Sequence, residues 1–206
     1  NLFTFKHTSF YAHPEFVIGS GNLGKKIFNN FFPKSNFFEV PSFDVSWINE
    51  SKDAIDRYIV YVDDALDMGG NEKFTHRENS YYMCMNLDKF YSNLRVFFDK
   101  IEKIYKTKVI IASSGKYIHK NNKKFGLRKI IYGETNELIK NSLFIVGHES
   151  SAMFQAAISD KSILILDDET FTPLRKECIT KMAIFLDIEI ISMQNLEENR
   201  IIDYFE

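Results

Sequence analysis

The sequence has little of what marks secreted, fibrous or disordered chains. Among 206 residues there are only two cysteines, four prolines and nine glycines. The cysteines, Cys84 and Cys178, have no CxxC spacing and cannot form a disulfide framework, so we expect reduced thiols and a cytoplasmic location. The low proline and glycine content excludes collagen-like and low-complexity chains, and 45% hydrophobic residues are too many for a disordered one.

A strong charge of one sign and long apolar runs are also missing. The chain has 26 Lys+Arg against 28 Asp+Glu, a net charge of -2. Such a balance gives no field that would hold a nucleic-acid backbone, and we expect no nucleic-acid partner. The longest apolar runs are far shorter than the ~18 residues that suggest a membrane span. The five histidines show no HxxxH or HExxH spacing, so we expect no metal site.

What the sequence does contain is a regular alternation of apolar segments and helical patterns. The predicted strands are 57–62, 108–112, 129–132, 143–147, 162–166 and 188–192, and the predicted helices are 86–106, 134–141, 150–159, 172–186 and 195–204. Continuously apolar strands that alternate with helices predict a parallel sheet covered on both faces. The expected fold is therefore α/β, with a doubly wound, mainly parallel sheet.

The first 45 residues differ from the rest. They are rich in Phe and Asn and contain three of the four prolines. We interpret residues 1–45 as a connector or the tail of a missing N-terminal domain, and residues 46–206 as the α/β domain, with a boundary near Ser46. Because the chain begins with Asn1 rather than Met, we interpret it as a fragment of a longer protein.

In open parallel sheets, ligands bind outside the carboxyl ends of the strands, where the strand order reverses. This rule selects the polar residues that follow the predicted strands, and we expect them to converge. They are Asp63, Asp64, Ser113, Ser114, Gly133 to Thr135, His148 to Ser151, Asp167 and Asp168.

The sharpest of these segments runs from Gly147 to Ala152, between a predicted strand and a predicted helix. Unpaired N–H groups at a helix start, together with the hydroxyls of Ser150 and Ser151, suit a phosphate or carboxylate, and His148 offers a further donor. The alternative is that Ser150 only caps the helix and that His148 is a strand-end residue whose hydrogen bonds are satisfied within the protein.

Two further turns are candidates of the same kind. Gly133 and Thr135 open a helix whose backbone amides suit a nucleobase edge or a ribose, although a capping motif needs no ligand. Ser113 and Ser114 end a strand and suit a small anion-binding turn, although Ser after a strand is common.

Asp63 and Asp64 close the first strand of the α/β domain. One such carboxylate suits a general base acting on a hydroxyl acceptor. Two adjacent acids are also ordinary turn chemistry.

A GxGxxG match lies at residues 19–24, with Glu39 twenty residues after Gly19. Within a complete βαβ unit this would be a dinucleotide fingerprint. From Lys25, only eight residues precede Pro33, which predicts a helix too short for that unit. A nicotinamide or flavin site at these glycines stays as an alternative.

Four segments together resemble a known family. They are "YIVYVDDA", the amphipathic "FYSNLRVFFDKIEKIY", "KVIIASS" and "IIYGETNELIKNSLFIVGHESSAMFQAAISDKSILIL". In this order they resemble the C-terminal, Rossmann-like half of GT-B glycosyltransferases that build bacterial capsule or lipopolysaccharide. Within that class the chain is most similar to enzymes that use CMP-activated sialic acid or Kdo. The resemblance covers roughly residues 15–195.

The resemblance assigns roles to particular residues. The family's Ser-Ser/Thr motif, which grips the donor phosphate or carboxylate, falls on Ser150 and Ser151. Its paired acids, one of which is the base in some members, fall on Asp63 and Asp64. Its His-Pro pair has no counterpart, because Ser113 and Ser114 stand at that place.

The resemblance also implies a function. We expect a metal-independent glycosyltransferase without a cofactor. Its donor would be a nucleotide sugar, with a CMP-sugar favoured. Its acceptor would be a glycan or glycolipid held by the missing N-terminal domain. The location would be cytoplasmic, and the resemblance allows peripheral association of the full-length protein with the inner face of the membrane. The expected donor-binding residues are His148, Glu149, Ser150, Ser151, Gly133, Thr135, Ser113 and Ser114, with Asp64 or Asp63 as base. The alternatives are a non-catalytic binding or scaffold module with the same fold and an NAD-dependent oxidoreductase.

Overall fold

The computed structural model describes residues 14–19, 21–40, 58–66, 84–115, 118–119 and 122–194. The chain divides into two compact units, residues 1–49 and 50–206, which are described separately below. The predicted boundary near Ser46 and the predicted helix 195–204 lie outside the described residues.

The first unit contains a complete parallel βαβ element. It consists of β1 (Phe16–Gly19), α1 (Gly21–Phe31) and β2 (Asn36–Glu39). The two strands pair in parallel, with Gly19 opposite Glu39. Our expectation of a helix too short for this unit is wrong, because α1 begins inside the GxGxxG segment at Gly21 and has 11 residues.

The second unit contains a six-stranded sheet with helices between its strands. Its elements are β3 (Tyr58–Val62), α2 (Leu87–Tyr105), β4 (Lys108–Ser113), a short 3-10 helix (Asn122–Phe125), β5 (Ile130–Tyr132), α3 (Thr135–Asn141), β6 (Phe144–Gly147), α4 (Ala152–Ile158), β7 (Ile163–Asp167), α5 (Pro173–Leu186) and β8 (Ile190–Ser192).

The sheet confirms the predicted fold class. Its strands lie in the order β5-β4-β3-β6-β7-β8, and every neighbouring pair is parallel. The chain starts at the central strand β3, builds outward to β5, and then returns to the other side of β3 with β6. This is the doubly wound order of Rossmann-like folds, and it places the switch point between the carboxyl ends of β3 and β6.

The long helix α2 covers one face of the sheet. Its apolar residues recur every three or four positions, and the buried ones include Phe90, Leu94, Phe98 and Ile101. The Asn86 side chain caps its start by accepting a hydrogen bond from the backbone N–H of residue 89, at 3.0 Å. The periodic stripe therefore fixes which helix face packs on the sheet.

Helix α5 starts in a way that matters for the site. Thr172 is the N-cap and accepts from the backbone N–H of Arg175 at 3.3 Å, and Pro173 occupies the first helical position. Arg175 therefore lies in the first turn of α5, which starts close to the carboxyl end of β7.

At α3, by contrast, Thr135 is the first helical residue and not the cap. The N-cap is Glu134, and it makes no side-chain capping hydrogen bond. Among the described helices, none is both long and apolar enough to cross a membrane.

Candidate functional site at the carboxyl edge of the sheet

Two carboxylates meet at the switch point. Asp64 directly follows Asp63 at the end of β3, and Glu149 lies two residues beyond the end of β6. Since β3 and β6 are neighbouring parallel strands, their carboxyl ends lie side by side. Both side chains are 13% exposed, so they are mostly buried but still reach the surface.

Arg175 joins these two carboxylates. Its Nη2 donates to Asp64 Oδ2 at 2.7 Å, and its Nη1 donates to Glu149 Oε1 at 3.0 Å. The guanidinium also lies over the Phe171 ring, 4.8 Å from its centroid. The Arg175 side chain is only 3% exposed, so the cation lies behind the two carboxylates.

The environment of Glu149 favours its protonated form. Burial raises the pKa of this carboxyl, Arg175 opposes the rise, and the negative charge of Asp64 adds to it, with a net upward shift. The shift makes the Glu149 carboxyl easier to protonate than that of an exposed glutamate.

A second cluster lies on the other side of β3, around Asp63. Its Oδ2 is 2.6 Å from His119 Nε2 and accepts from the Ser113 hydroxyl at 3.0 Å, while its Oδ1 accepts from the Ala65 backbone N–H at 3.1 Å. Ser113 and His119 are also in contact, with 3.1 Å between Oγ and Nε2. All three polar side chains are buried.

Lys124 extends this cluster inward. Its Nζ is 2.6 Å from His119 Nδ1 and donates to the Tyr91 hydroxyl at 3.1 Å. A charged lysine only donates, so Nδ1 accepts and Nε2 carries the proton that is shared with Asp63. Burial alone would raise the pKa of Asp63, but the hydrogen bond with His119 and the charge of Lys124 lower it overall.

Ser113, His119 and Asp63 do not form a nucleophilic triad. In such a triad the histidine uses one ring nitrogen for the serine and the other for the carboxylate. Here Nε2 faces both partners, and Nδ1 faces Lys124. The cluster is therefore a buried hydrogen-bonded network that ties residue 119 to the ends of β3 and β4.

His148 lies in the core rather than on the edge. Its Nδ1 is 2.9 Å from the Leu166 carbonyl, and its Nε2 is 3.0 Å from the Tyr61 hydroxyl. A carbonyl only accepts, so Nδ1 carries the proton and Tyr61 donates to Nε2. Burial and then the charge of Arg175 lower the pKa of His148 to about 4. Both ring nitrogens thus have protein partners. The predicted contact of His148 with the nucleotide-sugar donor would require the ring to give up one of these two hydrogen bonds.

Ser150 and Ser151 follow Glu149 at the start of α4. The Ser150 hydroxyl accepts from the backbone N–H of Ala152 at 3.4 Å, whereas Ser151 is exposed and forms no side-chain cap. Close packing behind this turn comes from Gly147, where an added Cβ would lie 2.4 Å from Met153 Cε. Both serines directly follow Glu149, so they lie beside the carboxylates of Asp64 and Glu149. Their role in binding the nucleotide-sugar donor stays a prediction.

The predicted turn after β5 meets the end of β4 through its backbone. Gly133 donates its N–H to the Ser113 carbonyl at 2.9 Å, and an added Cβ on Gly115 would lie 3.3 Å from the Gly133 Cα. Gly133 has a φ of +77°, which glycine adopts without strain. Thr135 and Ser114 are both partly exposed, and their predicted donor contacts stay predictions.

Asp168, after β7, has a role in holding the edge together. Its carboxylate is buried and accepts from the Thr170 backbone N–H and from Asn93 of α2, both at 2.9 Å, and from the Gln194 side chain. The neighbouring Asp167 accepts from Lys176 at 3.1 Å. Asp167 and Asp168 therefore do not join Asp64 and Glu149 at the switch point.

The predicted convergence is thus divided between two sets of contacts. Ser113 and Gly133 join the cluster around Asp63, whereas Asp64 and Glu149 share Arg175.

Sequence reasoning missed three charged or titratable residues of these clusters, Arg175, His119 and Lys124. The sequence offered one indirect signal, a histidine shortly after the strand at which the His-Pro pair is absent.

Comparison with family models, with curated proteins and with solved structures found no match. Within the described ranges, no group of three or more His, Cys, Asp or Glu side chains is arranged to hold a metal ion.

Proposed function

We propose that the second unit is the donor-binding domain of a bacterial glycosyltransferase that uses a nucleotide sugar. The observation that carries the proposal is the polar edge at the switch point of a doubly wound parallel sheet, where Asp64, Glu149 and Ser150 lie together. Ligands of this fold class bind at that place. The sequence resemblance to GT-B enzymes of surface-polysaccharide synthesis supports the same assignment and favours a CMP-sugar.

In the proposed reaction the sugar passes from the nucleotide to a glycan or glycolipid hydroxyl. The donor phosphate lies against the turn of Ser150 and Ser151, whose hydroxyls and N–H groups stabilise the leaving phosphate without a metal. Of the two predicted bases, Asp64 is the better candidate, because it reaches the surface while Asp63 is enclosed by His119 and Ser113.

The acceptor in this proposal is bound mainly by an N-terminal domain beyond the present chain. The location is cytoplasmic, and the full-length enzyme associates peripherally with the inner face of the membrane, where a glycolipid acceptor would be found.

A thermal-shift screen tests donor binding. CMP, CDP, UDP, GDP, ADP and NAD are compared on the wild type and on Ser150→Ala/Ser151→Ala. A nucleotide at about 100 times its dissociation constant stabilises the fold by about 2.7 kcal/mol, and the double variant loses that shift. The control is Thr180→Ala, on the exposed face of α5.

The outcomes separate the candidate functions. A pyrimidine nucleotide that stabilises the wild type but not the double variant supports the proposal, and the full-length enzyme would then be assayed for transfer. If no nucleotide changes the melting temperature, the donor-site assignment is wrong and a non-catalytic module with this fold is favoured.

A dinucleotide site in the first unit is a second candidate, since a complete βαβ element surrounds the glycine segment. Gly21 has a φ of +70°, and Glu39 ends β2. A shift with NAD alone, which is lost in Gly21→Ala and in Glu39→Gln, would favour an oxidoreductase. A shift with NAD that survives both substitutions would place that binding elsewhere.

A further inference from the structure

The two accessible side chains that Arg175 holds at the switch point accept hydrogen bonds when they are ionised. Arg175 is buried, and it is the carboxylates of Asp64 and Glu149 that reach the surface. With both acids ionised, the three groups carry one net negative charge. A phosphate placed directly on them would be repelled, whereas a group that donates a hydrogen bond would be attracted.

Arg175 fixes the two carboxylates relative to each other. One planar guanidinium binds one oxygen of each acid, and its ring contact with Phe171 restrains the plane. Guanidinium donors have a fixed fork geometry, so the acceptors they hold are pre-organised. Two pre-organised acceptors are suited to two hydroxyl groups of one sugar ring.

The third donor nitrogen of Arg175, Nε, has no hydrogen-bond partner within the part of the chain that the structure describes, but it is buried, so a ligand at this edge meets the carboxylates and not the guanidinium. A carboxylate accepts hydrogen bonds. A hydroxyl group can donate one to it, whereas a phosphate only accepts.

We propose that Asp64 and Glu149, positioned by Arg175, bind neighbouring hydroxyl groups of a carbohydrate ligand. The inference rests on the proposed function, in which two parts of a nucleotide sugar present such groups: the ribose and the transferred sugar.

The test measures dissociation constants by calorimetry for the wild type, Glu149→Gln and Asp64→Asn. The probes are CMP, 2′,3′-dideoxy-CMP and CMP-N-acetylneuraminate, or the uridine series if the nucleotide screen selects uridine. A hydrogen bond to a charged group predicts about tenfold weaker binding in each variant. Glu177→Gln, on the exposed face of α5, is the matched control and leaves binding unchanged.

The probes distinguish the two sources of hydroxyl groups. If the ribose is bound, the wild type binds the dideoxy analogue about tenfold more weakly than it binds CMP. Glu149→Gln then binds the analogue and CMP with nearly equal affinity, because both changes remove the same contact. If the transferred sugar is bound, the wild type binds the nucleotide sugar more tightly than CMP, and Glu149→Gln removes this difference in affinity. Glu149→Asp, which keeps the charge, serves as a second variant if Glu149→Gln does not fold.

Two results would overturn the inference, and they differ. If the wild type binds a nucleotide sugar and all the carboxylate variants bind it equally well, the hydroxyl-binding pair is wrong and the proposed function survives. If the wild type binds no nucleotide or nucleotide sugar at millimolar concentration, the proposed function fails and the inference fails with it.

Discussion

Replacing Arg175 by methionine should destabilise the second unit strongly. Methionine keeps much of the apolar contact with Phe171 but leaves the carboxylates of Asp64 and Glu149 facing each other without a cation. Removing one partner from a buried ion pair typically costs about 3–5 kcal/mol. We expect a loss in this range at pH 7.5, since the arginine side chain is 3% exposed and both acids are 13% exposed.

The loss should depend on pH in a definite direction. In the wild type, the pKa of Glu149 is already raised, and Arg175 works against that rise. Without Arg175, the folded-state pKa of Glu149 moves further above its unfolded value. A group of this kind contributes stability that is present at low pH and lost as the pH rises through its folded pKa. The deficit of Arg175→Met should therefore be smaller at pH 4.5 than at pH 7.5.

Urea denaturation followed by far-UV circular dichroism at the two pH values measures both effects. Lys181→Met is the control, because its ion pair with Glu177 is on the exposed face of the same helix and should contribute nothing measurable. A loss below about 1 kcal/mol would mean that water screens the Arg175 pairs as it does at a surface. A loss that is the same at both pH values would refute the assigned coupling to Glu149.

Two further predictions concern the buried residues beneath the carboxyl edge of the sheet. The His148 imidazole, with a pKa of about 4, should not titrate in NMR spectra between pH 8 and 5.5. The stability of the fold should decrease as the pH drops from about 6.5 towards 4, because the unfolded chain takes up the proton first. A His148 signal with a midpoint near 6.5 would contradict the hydrogen bonds to Tyr61 and Leu166. Gly147→Ala places a Cβ 2.4 Å from the Cε of the buried Met153, so overpacking should cost about 1–3 kcal/mol in thermal denaturation, and an unchanged melting temperature would show that Met153 moves aside without cost.

The regular elements of the second unit were predictable because their signals are local. The stripe of Phe90, Leu94, Phe98 and Ile101 repeats with the helical period, and α2 follows that stripe. Strands such as β6 are buried on both faces, so their sequences are continuously apolar. Alternation of the two patterns then limits the topology to a parallel sheet with crossover helices.

The βαβ element of the first unit shows where such reasoning fails. The helix length was counted from Lys25, after the glycine segment, whereas α1 starts at Gly21 with a φ of +70°. Glycine has a low helix propensity, and its presence at the start of the segment concealed the first helical turn. A pattern of residue types does not show in which backbone conformation a glycine is held.

Long-range partners were not predictable for a different reason. Arg175 binds Asp64 across 111 residues of sequence, and His119 binds Asp63 across 56. Nothing in the local sequence of α5 distinguishes Arg175 from an ordinary surface charge, and the only local signal for His119 is its place shortly after the strand that lacks the His-Pro pair. Their partners depend on which strand ends become neighbours, and that follows only from the completed strand order.

The strand order also explains why two consecutive acids have different environments. Both acids lie just beyond the carboxyl end of β3, which has β4 on one side and β6 on the other. Asp63 contacts Ser113 at the end of β4, where His119 and Lys124 enclose it. Asp64 shares Arg175 with Glu149 beyond the end of β6 and keeps part of its carboxylate at the surface. A carboxylate that accepts a proton from a ligand must meet that ligand, so in the proposed reaction this role falls to Asp64 rather than to Asp63.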